Sequence, residues 1–301
     1  MSNNENINMG IVFITIPRSF VYPYIVRQEN CLHAIKRYNQ NSEIILYSDD
    51  DGVDDYARKY GYITPKIVKK IGNLPLVNQA ISFAAEKFPN SKICYINSDI
   101  LVLDPLIDIL QLIKSNGLNE YMLVCRRTEV VLNSVLTYDE FDYVVENYKK
   151  DNSHGRDTAI DFFLFDSSMV NKIDMPDFSV GRPGWDNWLA ARARIINIPL
   201  IDISDVITIG HQDHLQVHDK SGWDINWSVW TKHGISNFSS LLDCNYKIVR
   251  KKDNLKLEKK LIGNITGSKV TRILRAYLRI IRFFLINNFN IISIYHRYFS
   301  R

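Results

Sequence analysis

The sequence predicts an α/β fold in which a mostly parallel central sheet is flanked by helices. Three observations carry this. Short apolar runs rich in β-branched residues alternate with segments of helical periodicity, the pattern of βαβ units. One run, Ile93 to Leu103, breaks at a polar tip, Asn97-Ser98-Asp99, and then turns apolar again. An acid displayed at a strand's carboxyl end is where open α/β sheets put ligand chemistry. Finally, hydrophobic residues make up 46% of the 301, enough for a sizeable core and too many for global disorder.

In chain order, residues 10–16 (GIVFITI) read as the first strand, ended by Pro17-Arg18. Residues 24–38 have helical spacing, with Ile25, Leu32 and Ile35 on one side. A second strand at 43–47 (EIILY) leads into the acidic turn Ser48-Asp49-Asp50-Asp51-Gly52. Helices are expected at 54–60 and 76–88, then the strand at Ile93. Asp104-Pro105 starts a helix over 106–113. Strands follow at 121–125 and 160–165 (IDFFLF), with a polar loop at 151–157 between them. The turn Gly181-Arg182-Pro183-Gly184 precedes a helix over 185–194, and 196–203 is a short buried strand. There is no internal repeat and no low-complexity linker.

Charge sets the domain reading. The net charge is +4, but Arg250 to Arg301 holds 13 Lys+Arg against 2 Asp+Glu, so the rest is net acidic. The expectation is an acidic globular body, 1–245, and a basic helical tail, 246–301, with its own partner. At about 100° per residue, Arg272, Arg275, Arg279 and Arg282 fall in an arc of roughly 80°, and apolar residues fill most of the remainder. Such a helix suits an anionic membrane interface. Docking on the body and an RNA-binding arm are the alternatives; no recognition-helix or RNP-like motif supports nucleic acid. The N-terminus lacks signal-peptide character, and no run of about 18 apolar residues offers a spanning helix. Four dispersed cysteines without CxxC spacing fit a reducing compartment. The location expected is cytoplasmic, peripheral on the inner face of a membrane. Sequons at Asn226, Asn237 and Asn264 are read as chance matches.

A carboxylate flanked by apolar sequence must be paired, capped or bound to a metal. Asp99 is either such a group or part of a capped strand end. The segment YINSDILVLDPL resembles the DxD segment of nucleotide-sugar glycosyltransferases of the GT-A fold. There the last Asp holds Mn²⁺ or Mg²⁺ against the donor diphosphate; here Asn97 replaces the first. The resemblance covers roughly residues 9 to 220 and implies a GT-A body with a Rossmann-like sheet. It implies that Thr15, Pro17 and Arg18 cradle the nucleotide with Asn97, Ser98 and Asp99, and that Asp49 lies in the base- or ribose-contacting loop. Residues 157–165 would line the donor–acceptor cleft, with Arg156 on phosphate or a sugar hydroxyl. The segment GWDNWL resembles the family's acidic helix start, so Asp186 is the candidate base, Asn187 its neighbour, and Trp185 and Trp188 an acceptor platform. The alternative is an acid on a helix dipole with two tryptophans as core anchors. Late histidines, His211 and His214, would complete the metal site, imidazole suiting Mn²⁺ better than Mg²⁺.

The activity implied is metal-assisted transfer from a nucleoside diphosphate sugar to a glycan or lipid-linked acceptor, inverting or retaining. A sugar nucleotidylyltransferase would need a Gly-rich phosphate loop, and a dinucleotide-dependent oxidoreductase GxGxxG; GIVFITIPRSF supplies neither. A degenerate, non-catalytic glycan- or membrane-binding module is the third rival, and Asn97 is its argument.

Overall fold

A computed structural model describes residues 10–150, 159–212, 241–252 and 254–260, with Asn226, Ser228 and Val229. The expected fold class is the one observed. The main sheet has eight strands in the order β13-β12-β10-β7-β9-β5-β1-β2. These are β1 (Ile11–Thr15), β2 (Glu43–Leu46), β5 (Lys92–Ile96), β7 (Met122–Arg126), β9 (Ile160–Asp166), β10 (Leu200–Asp202), β12 (Tyr246–Lys251) and β13 (Asn254–Lys259). β9 and β13 run against the other six. A hairpin of β3 (Lys70–Ile71) and β4 (Leu74–Pro75) stands apart.

The inner strands are apolar on both faces because helices cover both sides. Val12 and Ile14 of β1, with Ile93 and Tyr95 of β5, pack in one cluster; Ile11, Phe13, Cys94 and Ile96 pack in the other. The first cluster takes in α3 (Val77–Lys87), α6 (Val170–Ile173) and α7 (Trp185–Ile195), and the second α1 (Tyr24–Tyr38), α2 (Val53–Tyr60) and α4 (Ile107–Ser115). Each fully buried Ile or Phe contributes on the order of 1.5–3 kcal/mol. All four cysteines are free and buried.

A second sheet holds β6 (Ile100–Val102), β11 (Ile209–Gln212) and β8 (Thr128–Val130), in that order. It packs with α5 (Tyr138–Lys150) through Leu101, Val130 and Phe141. Each of its strands leaves the main body at a polar turn. The Ile100 amide donates to the Asn97 carbonyl (3.1 Å), so Asn97-Ser98-Asp99 turns the chain out of β5 into β6. A bulge between Cys125 and Arg126 ends the β7–β9 pairing and releases the chain into β8.

The sequence missed β8 and β11, which are too short to show a period, and α5, whose Phe141, Val144, Val145 and Tyr148 do carry helical spacing. It also misplaced residues 246–259. Expected to open a helical tail, they form β12 and β13 of the main sheet, where Ile248, Leu255 and Leu257 cover the cluster around α4. The lysines that set the boundary occupy the outer positions of an edge hairpin. The helical segment expected at 270–286 lies outside the described residues. Among the described residues, no helix is long and apolar enough to cross a membrane.

Candidate functional site

The chain runs from β1 to β2 on one side and places β5 on the other side of β1. That reversal makes the carboxyl ends of β1 and β5 a topological switch point, where doubly wound sheets bind ligands in a crevice. Thr15 ends β1 there. It is buried, and its hydroxyl has no hydrogen-bond partner among the described residues. Pro17 is buried and Arg18 exposed, the Arg18 guanidinium lying 5.1 Å from the Tyr24 ring centre. Asp49, beyond β2, is exposed and pairs with Lys70.

The small sheet brings distant residues together. β11 lies between β6 and β8, so His211 is the register partner of Ile100 on one side and of Glu129 on the other. The buried His211 ring spans two carboxylates. Its Nε2 is 3.5 Å from Asp99 Oδ2 and its Nδ1 is 2.5 Å from Glu129 Oε2. Burial works to lower the ring's proton affinity, but Asp99 and then Glu129 outweigh it, and the pKa is pushed up to about 8. For Glu129, burial works upward and is outweighed by the His211 and Arg127 contacts, which hold its carboxyl below the usual range. An ionised carboxylate only accepts, so Nδ1 donates.

The network continues from Glu129. Arg127 Nε donates to Glu129 Oε1 (2.9 Å), and its Nη1 donates to Asp161 Oδ2 (2.8 Å). Asp161 Oδ1 accepts from Asn97 Nδ2 at 3.2 Å. Asp161 is buried at the start of β9, and burial raises its proton affinity against the pull of Arg127. Behind these groups, buried Gln212 donates from Nε2 to the carbonyls of Arg27 (2.9 Å) and Asp99 (3.2 Å), while Asn30 donates to Gln212 Oε1 (3.1 Å). This amide pair fixes the Asp99 turn to α1.

Asp186 stands in the first turn of α7, near enough to Asp161 and Arg127 to feel their charges. Gly184 caps that helix at φ 101°, a backbone conformation that glycine alone adopts cheaply. Asp186 is half-buried, and burial followed by the nearby charge of Asp161 pushes its pKa up to about 7. The expected acceptor platform is overturned. Trp185 and Trp188 are 5% and 2% exposed. Trp185 sets its edge on Tyr95 (4.9 Å between ring centres) and Trp188 packs on Phe178 (5.5 Å). Both face the apolar cluster because the helix lies flat on the sheet, and Asn187 is buried with them. Arg156 and His214 lie outside the described residues. Asn226 was read as a chance sequon; its side chain is buried, accepting from the Ser179 amide at 3.0 Å.

Sequence reasoning named Asp99 and His211, which the structure brings together, but not Arg127, Glu129 and Asp161, which it joins to them. For Asp161 a signal existed: a lone acid in the apolar strand IDFFLF. Arg127 and Glu129 left none, because they fall between a bulge and the end of a three-residue strand.

The donor set fits a divalent cation in part. Asp99 offers an oxygen and His211 a nitrogen, 3.5 Å apart, a spacing open to two ligands each about 2.1 Å from one ion. His211 also places its other nitrogen on a carboxylate, as metal-bound imidazoles do. Among the described residues, no group of three His, Cys, Asp or Glu side chains forms a fuller set.

No family model matches this chain, and no curated protein does. Among solved structures, S. aureus TarS residues 1–349 aligns with a TM-score of 0.48 and 11% identity, over 68% of this chain and 60% of that one. The same TarS segment in complex with UDP-GlcNAc aligns at 0.47, with 11% identity, over 68% of this chain and 59% of that one. The glycosyltransferase GlyE of Streptococcus pneumoniae TIGR4 aligns at 0.40 and 12% identity, over 75% of this chain and 64% of that one. This chain thus spans less than two thirds of each.

Proposed function

We propose that this chain transfers a sugar from a nucleoside diphosphate sugar to a glycan or lipid-linked acceptor, assisted by a divalent cation. The observation that carries the reading is the meeting of Asp99 and His211 at the crevice between β1 and β5. Residues 112 positions apart share no local reason to converge. The tight turn at Asn97 and the pairing of β11 with β6 bring them within 3.5 Å.

The proposed roles are these. Thr15, Pro17 and Arg18 line the end of β1 and cradle the nucleotide, with the buried Thr15 hydroxyl available to it. Asp99 and His211 would hold the cation, Mn²⁺ or Mg²⁺, a small set of protein ligands of the kind that suits a site shared with substrate phosphates. Bound there, the cation would offset charge developing on the leaving diphosphate. Asn97 contributes no charge; it steadies Asp161. Asp186 has a pKa of about 7, near working pH, and takes the proton of the attacking acceptor hydroxyl. This is the inverting form of the reaction. The basic segment 270–301 holds the enzyme against the anionic cytoplasmic leaflet; deleting it moves the protein into the soluble fraction.

The test is a thermal-shift screen of UDP- and GDP-sugars with and without Mn²⁺, followed by donor hydrolysis. A donor that binds the folded chain raises its apparent Tm. One donor should do so more strongly with Mn²⁺. Asp99→Ala should lower turnover by about 10²–10³-fold with an unchanged circular dichroism spectrum. Full activity of Asp99→Ala removes Asp99 from the mechanism, and silence across the whole panel sinks the enzymatic reading.

A further inference from the structure

Six side chains close a ring. Asn97 donates to Asp161, Asp161 and Glu129 both accept from Arg127, Glu129 accepts from His211, and His211 returns to Asp99, two residues after Asn97. The ring joins the ends of three strands of the main sheet to all three strands of the small one. Glu129 is its pivot. Both of its oxygens are used, one by His211 Nδ1 (2.5 Å) and one by Arg127 Nε (2.9 Å). It stands directly beside His211 in the β8–β11 register, so the pair shares one face of the sheet. Arg127 in turn is anchored on buried Asp161 (2.8 Å), which stops the Glu129 carboxylate from swinging into solvent.

We propose that Glu129 is a positioning residue that fixes the tautomer and ring plane of His211, so that Nε2 faces Asp99 across a cation-sized gap. Arg127 sets Glu129 in turn. The inference rests on the reading that Asp99 and His211 share one cation. An ionised carboxylate at Nδ1 keeps the hydrogen there, so Nε2 is the nitrogen that would give up its proton and turn a lone pair to the ion. Without Glu129 the ring is free to carry its hydrogen on Nε2 or to rotate, and both arrangements turn the lone pair away from Asp99. Outer carboxylates of this kind typically alter metal affinity 10–100-fold.

Glu129 is half-exposed, so its replacement leaves the core intact. The experiment titrates Mn²⁺ into the full chain by electron paramagnetic resonance of the free ion, with UDP and GDP present in separate series. Nucleotide affinity in EDTA and Tm are measured in parallel. The expected result is Mn²⁺ affinity weakened about 10–100-fold in Glu129→Ala and less in Glu129→Gln, which keeps one acceptor oxygen. Nucleotide affinity in EDTA and Tm should match the wild type. If both Glu129 variants bind Mn²⁺ like the wild type while Asp99→Ala does not, the positioning role is wrong and the cation site stands. If Glu129→Ala loses nucleotide binding in EDTA and melting temperature together with Mn²⁺, the residue is structural and the inference fails. If the wild type takes up no Mn²⁺ with either nucleotide, the cation reading fails and the inference falls with it.

Discussion

The small sheet and helix α7 treat their acids in opposite ways. On the small sheet, Glu129 lies between an arginine and a histidine and is held in its charged form. On α7, Asp186 sits over an apolar cluster with Asp161 as its charged neighbour, and keeps its proton up to about pH 7. Both are single carboxylates, and packing rather than residue type separates them. An acid supplied with fixed cations is a lasting negative charge, suited to orienting other groups. An acid set among apolar rings near another acid exchanges its proton close to neutrality, suited to acid–base work.

The largest expected effect tests helix α7. Asp186→Asn should lower kcat by about 10²–10⁴-fold and abolish the rise of wild-type activity with pH through about 7, as read in pH–rate profiles. The same variant carries a stability signature. Asp186 holds its proton to about pH 7 in the folded chain, whereas an unfolded Asp releases it near about pH 4. The folded state therefore binds the extra proton between those values, and wild-type stability falls as pH rises across that window. The gap in Tm between Asp186→Asn and wild type should open from about pH 4 to about pH 7. A gap independent of pH would mean that the Asp186 pKa is ordinary and the contrast between the two acids is false.

Next in size is Trp188→Ala, expected to cost about 3–5 kcal/mol in denaturant unfolding because the ring is fully packed. The variant protein that remains folded should keep its KM for acceptor. A selective rise in that KM would restore the tryptophan as a sugar platform.

The smallest effect belongs to the small sheet. A Cβ at Gly210 would come within 2.8 Å of Val130 Cγ2, a contact on β8. Gly210→Ala should cost about 1–3 kcal/mol and displace β8, and with it Glu129, from His211. Adding Val130→Ala should restore part of the loss. If Gly210→Ala is neutral, the small sheet is looser than the ring of contacts requires.

Elements with a long period were legible. The helix read at 24–38 is α1 residue for residue, and the strand at Ile93 is β5 with its polar turn. Short strands were not. β8 has three residues and β11 four, too few for a period-2 pattern to stand out, and their existence depends on partners far along the chain. The GWDNWL segment shows a different failure. Tryptophan beside an acid reads equally well as a platform or an anchor, and only burial decides.

The sequence by itself determined the fold class and the acid at a strand tip, and it named Asp99, Asp186 and His211 as candidates for the chemistry proposed above. These follow from local facts: apolar runs must be covered, and a carboxylate inside one must be paired, capped or bound. Tertiary structure alone decided who the partners are. Whether an acid stays charged depends on cations brought from elsewhere in the chain, Arg127 to Asp161 and His211 to Glu129. That meeting is a property of strand order and register, which no local pattern in the sequence records.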